Sequence, residues 1–231
     1  KNDPSEFLIK DIDKNKLYEF LRDMEFNRLL SSAISVYGDP GFNVDKISSR
    51  PKEIQTTINK KKYHLITEPK EIDDWIKEAE QIGEVAVDTE TSSLDPHQAD
   101  LIGVSLSTKI GKACYIPIGH NSKKSINKDL VLKKLKPMLE DSSIKKIDQN
   151  IKFDFIVLFK HGINISSMED TMLMSYVLDA GKNRHNMDIL AEIHLEHKTI
   201  TFKDLVGSGK KQINFSEVDV EKAKDYAAED A

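Results

Sequence analysis

Two carboxylates separated by a single residue stand in the stretch Glu84-Val-Ala-Val-Asp-Thr-Glu-Thr. The residues around them are β-branched or small, as in a strand. Alternate side chains of a strand share a face, so Asp88 and Glu90 project together. Like charges on a strand otherwise too apolar for a solvated edge need a compensating cation. The Asp-x-Glu pattern also occurs at Asp23/Glu25 and Asp219/Glu221, where no apolar strand surrounds it. Two further acids follow, each four residues after a polar partner: Asn150 with Asp154, and Tyr226 with Asp230. A spacing of four is one helical turn, so each pair shares a helix face, although an ordinary helix surface carries such pairs as well. Four acids without a Cys or His cluster form an oxygen-only donor set, which suits hard divalent ions such as Mg²⁺ or Mn²⁺.

Alternating strands and helices are expected to position these groups. Strands are predicted over 63–66, 85–91, 101–107, 113–118 and 144–148, with helices over 69–81, 127–139 and 151–160. Everything from Ser167 onward reads as helical, with Ser216 and Asp219 forming a start resembling a capping box for the helix that carries Tyr226. A sheet with a helical second half is an α/β layered domain. Upstream, Leu17, Phe20, Leu21, Met24, Leu29 and Leu30 recur at spacings of three and four, which predicts one helix over 14–36. Gly38-Asp39-Pro40-Gly41 ends it, and a polar, lysine-rich stretch from Phe42 to Lys62 reads as a connector. The boundary is placed near residue 60.

At 231 residues the chain suits one large domain with an appendage, not a multi-domain machine. Its 39% hydrophobic and 32% charged residues exclude disorder, and no apolar run approaches the roughly 20 residues of a membrane helix. A formal charge of −5 gives no general attraction to phosphate or anionic lipid. Cations bound by the acids would reverse that locally. The single cysteine, Cys114, excludes a disulfide framework and reads as a buried thiol in a reducing compartment. The opening residue is Lys1 rather than Met, and no targeting segment follows, so the chain reads as a piece of a longer protein.

Asp-x-Glu on a strand, Asn-x-x-x-Asp at a strand-to-helix junction and Tyr-x-x-x-Asp on a late helix, in that order, resemble the three motifs of the DEDD exonucleases in their tyrosine branch. More closely, residues 63–231 resemble the 3′→5′ proofreading exonuclease domain of bacterial family A polymerases, the DNA polymerase I type. The matching blocks are Asp-Thr-Glu-Thr-Ser-Ser-Leu (88–94), Tyr-Ile-Pro-Ile-Gly-His (115–120), Gln-Asn-Ile-Lys-Phe-Asp (149–154), Arg-His-Asn-Met-Asp-Ile-Leu-Ala (184–191), His-Lys-Thr-Ile-Thr-Phe (197–202) and Tyr-Ala-Ala-Glu-Asp (226–230). Residues 20–30 resemble, over a shorter match, the last helix of the 5′-nuclease arm that precedes such domains. The resemblance divides the chain into 1–60, arm helix plus linker, and 61–231, exonuclease domain without the polymerase domain.

This resemblance implies an α/β fold of the ribonuclease H-like kind, a mixed sheet flanked by helices with a helical C-terminal half. It implies two-metal hydrolysis of the terminal phosphodiester of single-stranded or frayed DNA, releasing nucleoside 5′-monophosphates. Asp88 would bridge two ions, Mg²⁺ or Mn²⁺, the first site also admitting Zn²⁺. Glu90 and Asp230 would complete the first site and Asp154 would hold the second, while Tyr226 and Glu90 would orient the attacking water. Leu94 and Phe202 match apolar residues that wedge and stack the terminal bases. Gln149 and Asn150 match polar contacts to the terminal nucleotide, and Arg184 matches a phosphate contact. With only four arginines in the chain, one at that place stands out, since its planar fork suits phosphate. The implied partners are a single-stranded DNA 3′ end and the polymerase domain of the same full-length chain, in a monomer without membrane association, located in the bacterial cytoplasm at the nucleoid.

Alternatives within and outside this chemistry are a ribonuclease D-like RNA exonuclease and a catalytically weak structural module, although all four acids and the tyrosine are present. His194 and His197, three apart, read as a solvated helix face, and Asp170 and Asp188 as helix caps or ion-pair partners. Gly207-Ser-Gly-Lys-Lys lacks the spacing of a phosphate-binding loop. Trp75 reads as core. With the chain closing one residue after Asp230, the last turn is expected to fray and to weaken the first metal site. No polymerase motif is present, so these residues are not expected to synthesise DNA.

Overall fold

The computed structural model describes residues 11–38 and 63–231, apart from the side chain of Lys210. The connector expected over 42–62 lies outside the described residues. Those described fall into two compact units.

The first unit is a helical hairpin, α1 (Lys14–Asp23) and α2 (Asn27–Tyr37). The single helix expected over 14–36 is therefore broken. Glu25 takes a left-handed conformation at φ 56°, the amide of Phe26 donates to the Leu21 carbonyl (2.8 Å), and the amide of Glu25 donates to that of Arg22 (2.9 Å). This is a Schellman end built without glycine, so no residue type announced it. The reason is burial: one straight helix would leave its apolar stripe in water, whereas the hairpin buries Tyr18, Leu21, Leu30 and Ala33 against one another.

In the second unit a six-stranded mixed sheet runs in the order β1 (Tyr63–Leu65), β4 (Lys112–Pro117), β3 (Leu101–Lys109), β2 (Glu84–Thr91), β5 (Lys145–Asp148), β6 (Met168–Asp170). β2, β3 and β4 pair antiparallel, while β1 on β4, β5 on β2 and β6 on β5 are parallel. β6 corrects the expectation that everything beyond Ser167 is helical. Three residues are too few to show a period of two.

Helices α3 (Pro69–Ile82), α4 (Lys128–Glu140) and α5 (Lys152–Lys160) contribute to one core with Val85, Val87, Val104, Leu106 and Cys114. Trp75 and Cys114 are buried there, as their types suggested. A second core joins Ile102 and Tyr115 of the sheet to Val206 of α8 (Phe202–Val206), Phe215, and Ala223 and Ala227 of α9 (Val220–Asp230). Alanines on α9 allow the helix close to the strands. Between these elements, α6 (Thr171–Asp179) and α7 (Met187–Leu195) follow β6. The N-cap of α9 is Asp219 itself, accepting from the amides of Glu221 and Lys222; the capping box with Glu217 belongs to Asn214 on the preceding 3₁₀ turn.

Lys146 is fully buried, its ammonium satisfied by the carbonyls of Asp141 and Ile144 at 2.6 Å each. It ties the loop after α4 to the start of β5. Gly103 has a packing role: a Cβ there would meet the Tyr115 ring at 2.3 Å and its hydroxyl at 2.1 Å. Tyr115 is fully buried and its hydroxyl bonds His120 Nε2 at 2.6 Å, so it has no room to yield. Gly103→Ala is expected to cost about 1–3 kcal/mol of stability, measured by denaturant unfolding.

Candidate functional site

β2 lies between antiparallel β3 and parallel β5, and its register with β5 aligns Ala86 with Ile147. Extended upward, that register brings the ends of both strands to one edge. Asp88 and Glu90 stand near the end of β2, with a bulge between Glu90 and Thr91, and Asp148 ends β5. The chain then turns sharply through Asn150, whose φ is 69°, and enters α5. Asparagine tolerates that conformation well. Asn150 therefore precedes the helix instead of sharing its face with Asp154, correcting the helical-face reading of that pair. The Asn150 amide donates to Asp170 Oδ1 at 3.0 Å, and the same oxygen accepts from the amides of Met172 (2.9 Å) and Leu173 (3.3 Å). Asp170 is the helix cap that its position suggested.

Asp154, in the first turn of α5, is held by Thr89 of β2: amide and hydroxyl donate to Asp154 Oδ1 at 2.9 and 2.5 Å. One oxygen each of Asp88, Asp148 and Asp154 lies within 4.8 Å of the others. Asp148 was not singled out from the sequence. The signal available was its place at a strand terminus, six residues before Asp154, beside the carboxylate-bearing strand.

Asp230 and Tyr226 come from the last turns of α9. That end is anchored by Glu229, whose side chain is 1% exposed and accepts from the Ile200 amide at 2.5 Å, with His197 Nε2 at 3.0 Å. His197 thus lies beyond α7 and is partnered, unlike the solvated helix face expected of it, whereas His194 is exposed. The Tyr226 ring packs against Phe215 and Phe202 at 6.1 and 6.2 Å between centroids.

A cleft of about 1070 Å³ is lined by Asp88, Glu90, Asp154, Tyr226 and Asp230, together with Leu94, Gln149, Asn150 and Phe202. Leu94 is 94% exposed at its rim, and Phe202 is 42% exposed while stacked on Phe215. Gln149 bonds both ways: its Nε2 donates to the His185 carbonyl (2.7 Å) and its Oε1 accepts from Thr171 (2.5 Å). Arg184 is exposed on the loop before α7 and is not among the lining residues. Asp188 also lines the cleft while accepting from the Thr199 hydroxyl at 2.5 Å. Gly209, Gln212, Ile213 and Asn214 form a wall that no sequence pattern indicated.

The electrostatics are those of carboxylates out of water. Asp88 and Glu90 are raised far above the usual carboxylate range, first by burial and then by the other acids. Burial, followed by Asp154 and Asp88, pushes Asp148 up to about 11, and burial raises Asp154 as well. Asp230 is pushed up to about 7, again first by burial. The Tyr226 phenol is raised by burial and by Asp230, so it is a hydroxyl donor at neutral pH, not a base. The charged neighbours foremost in shifting Asp88, Glu90, Asp148 and Asp230 are themselves acids. Glu90 Oε1 is buried without a hydrogen-bond partner. An orphaned carboxylate oxygen in an oxygen-only set fits a hard divalent cation.

A sequence profile of the family described as 3′-5′ exonuclease matches residues 63–231. DNA polymerase I of Pseudomonas aeruginosa is 37% identical over 224 residues, covering 94% of this chain and 24% of the relative. That of Rhizobium leguminosarum is 44% identical over 181 residues, covering 69% and 18% respectively. The chain thus spans a quarter or less of the length of these relatives. Brucella melitensis NrnC superposes with a TM-score of 0.51 at 28% identity, covering 73% of this chain and 72% of that one. The catalytic core of RRP6 from Trypanosoma brucei, at 15% identity and TM-score 0.56, covers 73% of this chain and 43% of that one and shares the fold.

The raised acids bind protons more tightly folded than unfolded, so their contribution to stability is present below the unfolded carboxylate range and is lost as pH rises through the folded values. For Asp230 that loss runs from the ordinary carboxylate range up to about 7, where it is complete. Metal-free protein should therefore lose a few degrees of Tm as pH rises from about 5 to about 7, and Asp230→Asn should flatten that part of the fall in a thermal scan.

Proposed function

The chain belongs to the 3′-5′ exonuclease family of the DNA polymerase I type, and on that premise we propose that it removes nucleotides one at a time from the 3′ end of single-stranded or frayed DNA. The observation that carries this reading is the convergence of the Asp88 and Asp154 oxygens within 4.8 Å, in a cleft also lined by Glu90, Tyr226 and Asp230. In the reaction, water adds to phosphorus as the bond to the 3′-oxygen of the preceding nucleotide breaks. The products are a nucleoside 5′-monophosphate and a strand one residue shorter.

Two divalent ions, Mg²⁺ or Mn²⁺, would neutralise charge on the entering and leaving oxygens and make water acidic enough to attack. Asp88 would serve both, Glu90 and Asp230 would hold the first, where Zn²⁺ is also admissible, and Asp154, braced by Thr89, would hold the second. Tyr226 would direct the attacking water by donating its hydroxyl, because burial keeps the phenol protonated. Leu94 and Phe202 offer apolar surfaces at the cleft to terminal bases, a sequence-tolerant mode of holding a single strand. Asn150 and Gln149, which line the cleft, would contact the terminal nucleotide, Gln149 with its amide already engaged. Arg184 would reach phosphate from the rim of the strand path outside the cleft.

Residues 1–60 would then be the last helices of a preceding 5′-nuclease arm and its linker, and 61–231 the exonuclease domain of a longer chain that carries the polymerase domain. The exonuclease would act there as its proofreading module, as a bacterial cytoplasmic monomer acting at the nucleoid. Among the described residues no helix is long and apolar enough to cross a membrane.

With Mn²⁺, the protein should shorten a 5′-labelled single strand of DNA in single-nucleotide steps on a sequencing gel. Asp154→Ala should slow this on the order of 10³-fold, the loss expected when several kcal/mol of charge stabilisation disappears. Unchanged degradation by that variant would remove Asp154 from the mechanism, and RNA degraded as fast as DNA would favour a ribonuclease.

A further inference from the structure

Asp148 lies outside every recognisable motif, yet it is buried against the acids of the cleft. The residue is 7% exposed at the end of β5, its Oδ2 is buried with no donor other than an acid, and the side chain it can share a proton with is that of Asp154. Its other oxygen accepts from the neighbouring Gln149 amide at 2.5 Å. The buried polar groups around it are satisfied elsewhere. Asp170, its partner across the β5–β6 register, caps α6 and holds the Asn150 amide. Lys146, two residues earlier on the same strand, spends its ammonium on carbonyls at the opposite end of β5. Asp154 has Oδ1 committed to Thr89. What Asp148 faces is carboxylate: oxygens of Asp88 and Asp154 lie with its own inside 4.8 Å.

We propose that Asp148 is a fifth carboxylate of the metal-binding set, joining Asp154 and Asp88 on the second divalent ion. This rests on the exonuclease reading and deepens it. Where Asp154 alone would hold the second ion with Asp88 and water, a third protein oxygen makes that site tighter. Three carboxylate ligands dehydrate a hard cation more completely than two, and the added negative charge raises affinity. Asp148 ends a strand paired on both sides and borders a hollow lined also by Gln149 and Asp230, two residues that line the cleft as well.

The test is a titration of the metal-free protein with Mn²⁺, reading free Mn²⁺ by electron paramagnetic resonance, for the unaltered protein, Asp148→Asn, Asp148→Gly and Asp154→Asn. The unaltered protein is expected to bind two ions. Both Asp148 variants should weaken one of the two by roughly 10–100-fold, the range in which altering metal-site partners acts, and Asp154→Asn should weaken the same one. Metal-free Tm in Asp148→Asn should equal or exceed that of the unaltered protein, because one member of a crowded acid cluster is replaced by a neutral amide that can still donate to Asp154. If Asp148→Asn fails to fold, Asp148→Gly decides the matter by itself. Two ions bound by the Asp148 variants with unaltered affinity, while Asp154→Asn loses one, would overturn the proposal and leave the exonuclease reading intact. No Mn²⁺ bound by the unaltered protein would overturn both.

Discussion

Carboxylates taken out of water lose hydration and repel one another, and a fold that gathers Asp88, Glu90, Asp148, Asp154 and Asp230 at the ends of its central strands must hold them there by other means. It does so by placing each on an element that is fixed independently of the acids. β2 is hydrogen-bonded on both sides, to β3 and β5. α5 is packed into the larger core through Val157 and Leu158. α9 is packed into the smaller core through Ala223 and Ala227. The two cores occupy opposite faces of the sheet, and their burial is the favourable term against which the acid cluster is a local cost.

Where rigid elements leave freedom at their ends, single polar contacts remove it. Thr89 bonds Asp154 from two atoms, so the strand carrying the first acids also orients the acid of the following helix. Glu229 does the equivalent at the end of α9, seizing the Ile200 amide and His197 one residue before Asp230. The aromatic cluster of Phe202, Phe215 and Tyr226 joins the second core to the cleft, so the ring that presents the Tyr226 hydroxyl is seated by packing. Pre-positioning of this kind matters for phosphoryl chemistry, in which charge develops at several oxygens together and reorganisation would be costly.

Local pattern carried much of this. The β-branched run of β2 revealed an apolar strand with two acids on one face, and the helices α3, α4 and α5 were legible to within a residue at each end. The strand-to-helix junction at 148–152 was legible as well, though the left-handed turn at Asn150 was not, because asparagine permits that conformation without requiring it. The break at Glu25 was hidden for a stronger reason. A glutamate at a left-handed helix end is unfavourable locally and is held by the hairpin packing of Tyr18 and Leu21 on Leu30 and Ala33. β6 was illegible because a three-residue strand exists only through its parallel pairing with β5.

By itself the sequence determined the residue types able to hold a hard cation, the order in which they occur and the class of layered fold that carries them, since these follow from composition and from periods of two and 3.6. Only the tertiary structure decided which carboxylates meet. Asp148 enters the acid cluster because the parallel register of β5 on β2 ends both strands at one edge. Arg184 stays outside the cleft lining, although Asn186 and Met187 just after it belong to that lining. Such proximities are set by register and by the packing of elements distant in the chain, quantities to which spacing along the sequence is blind.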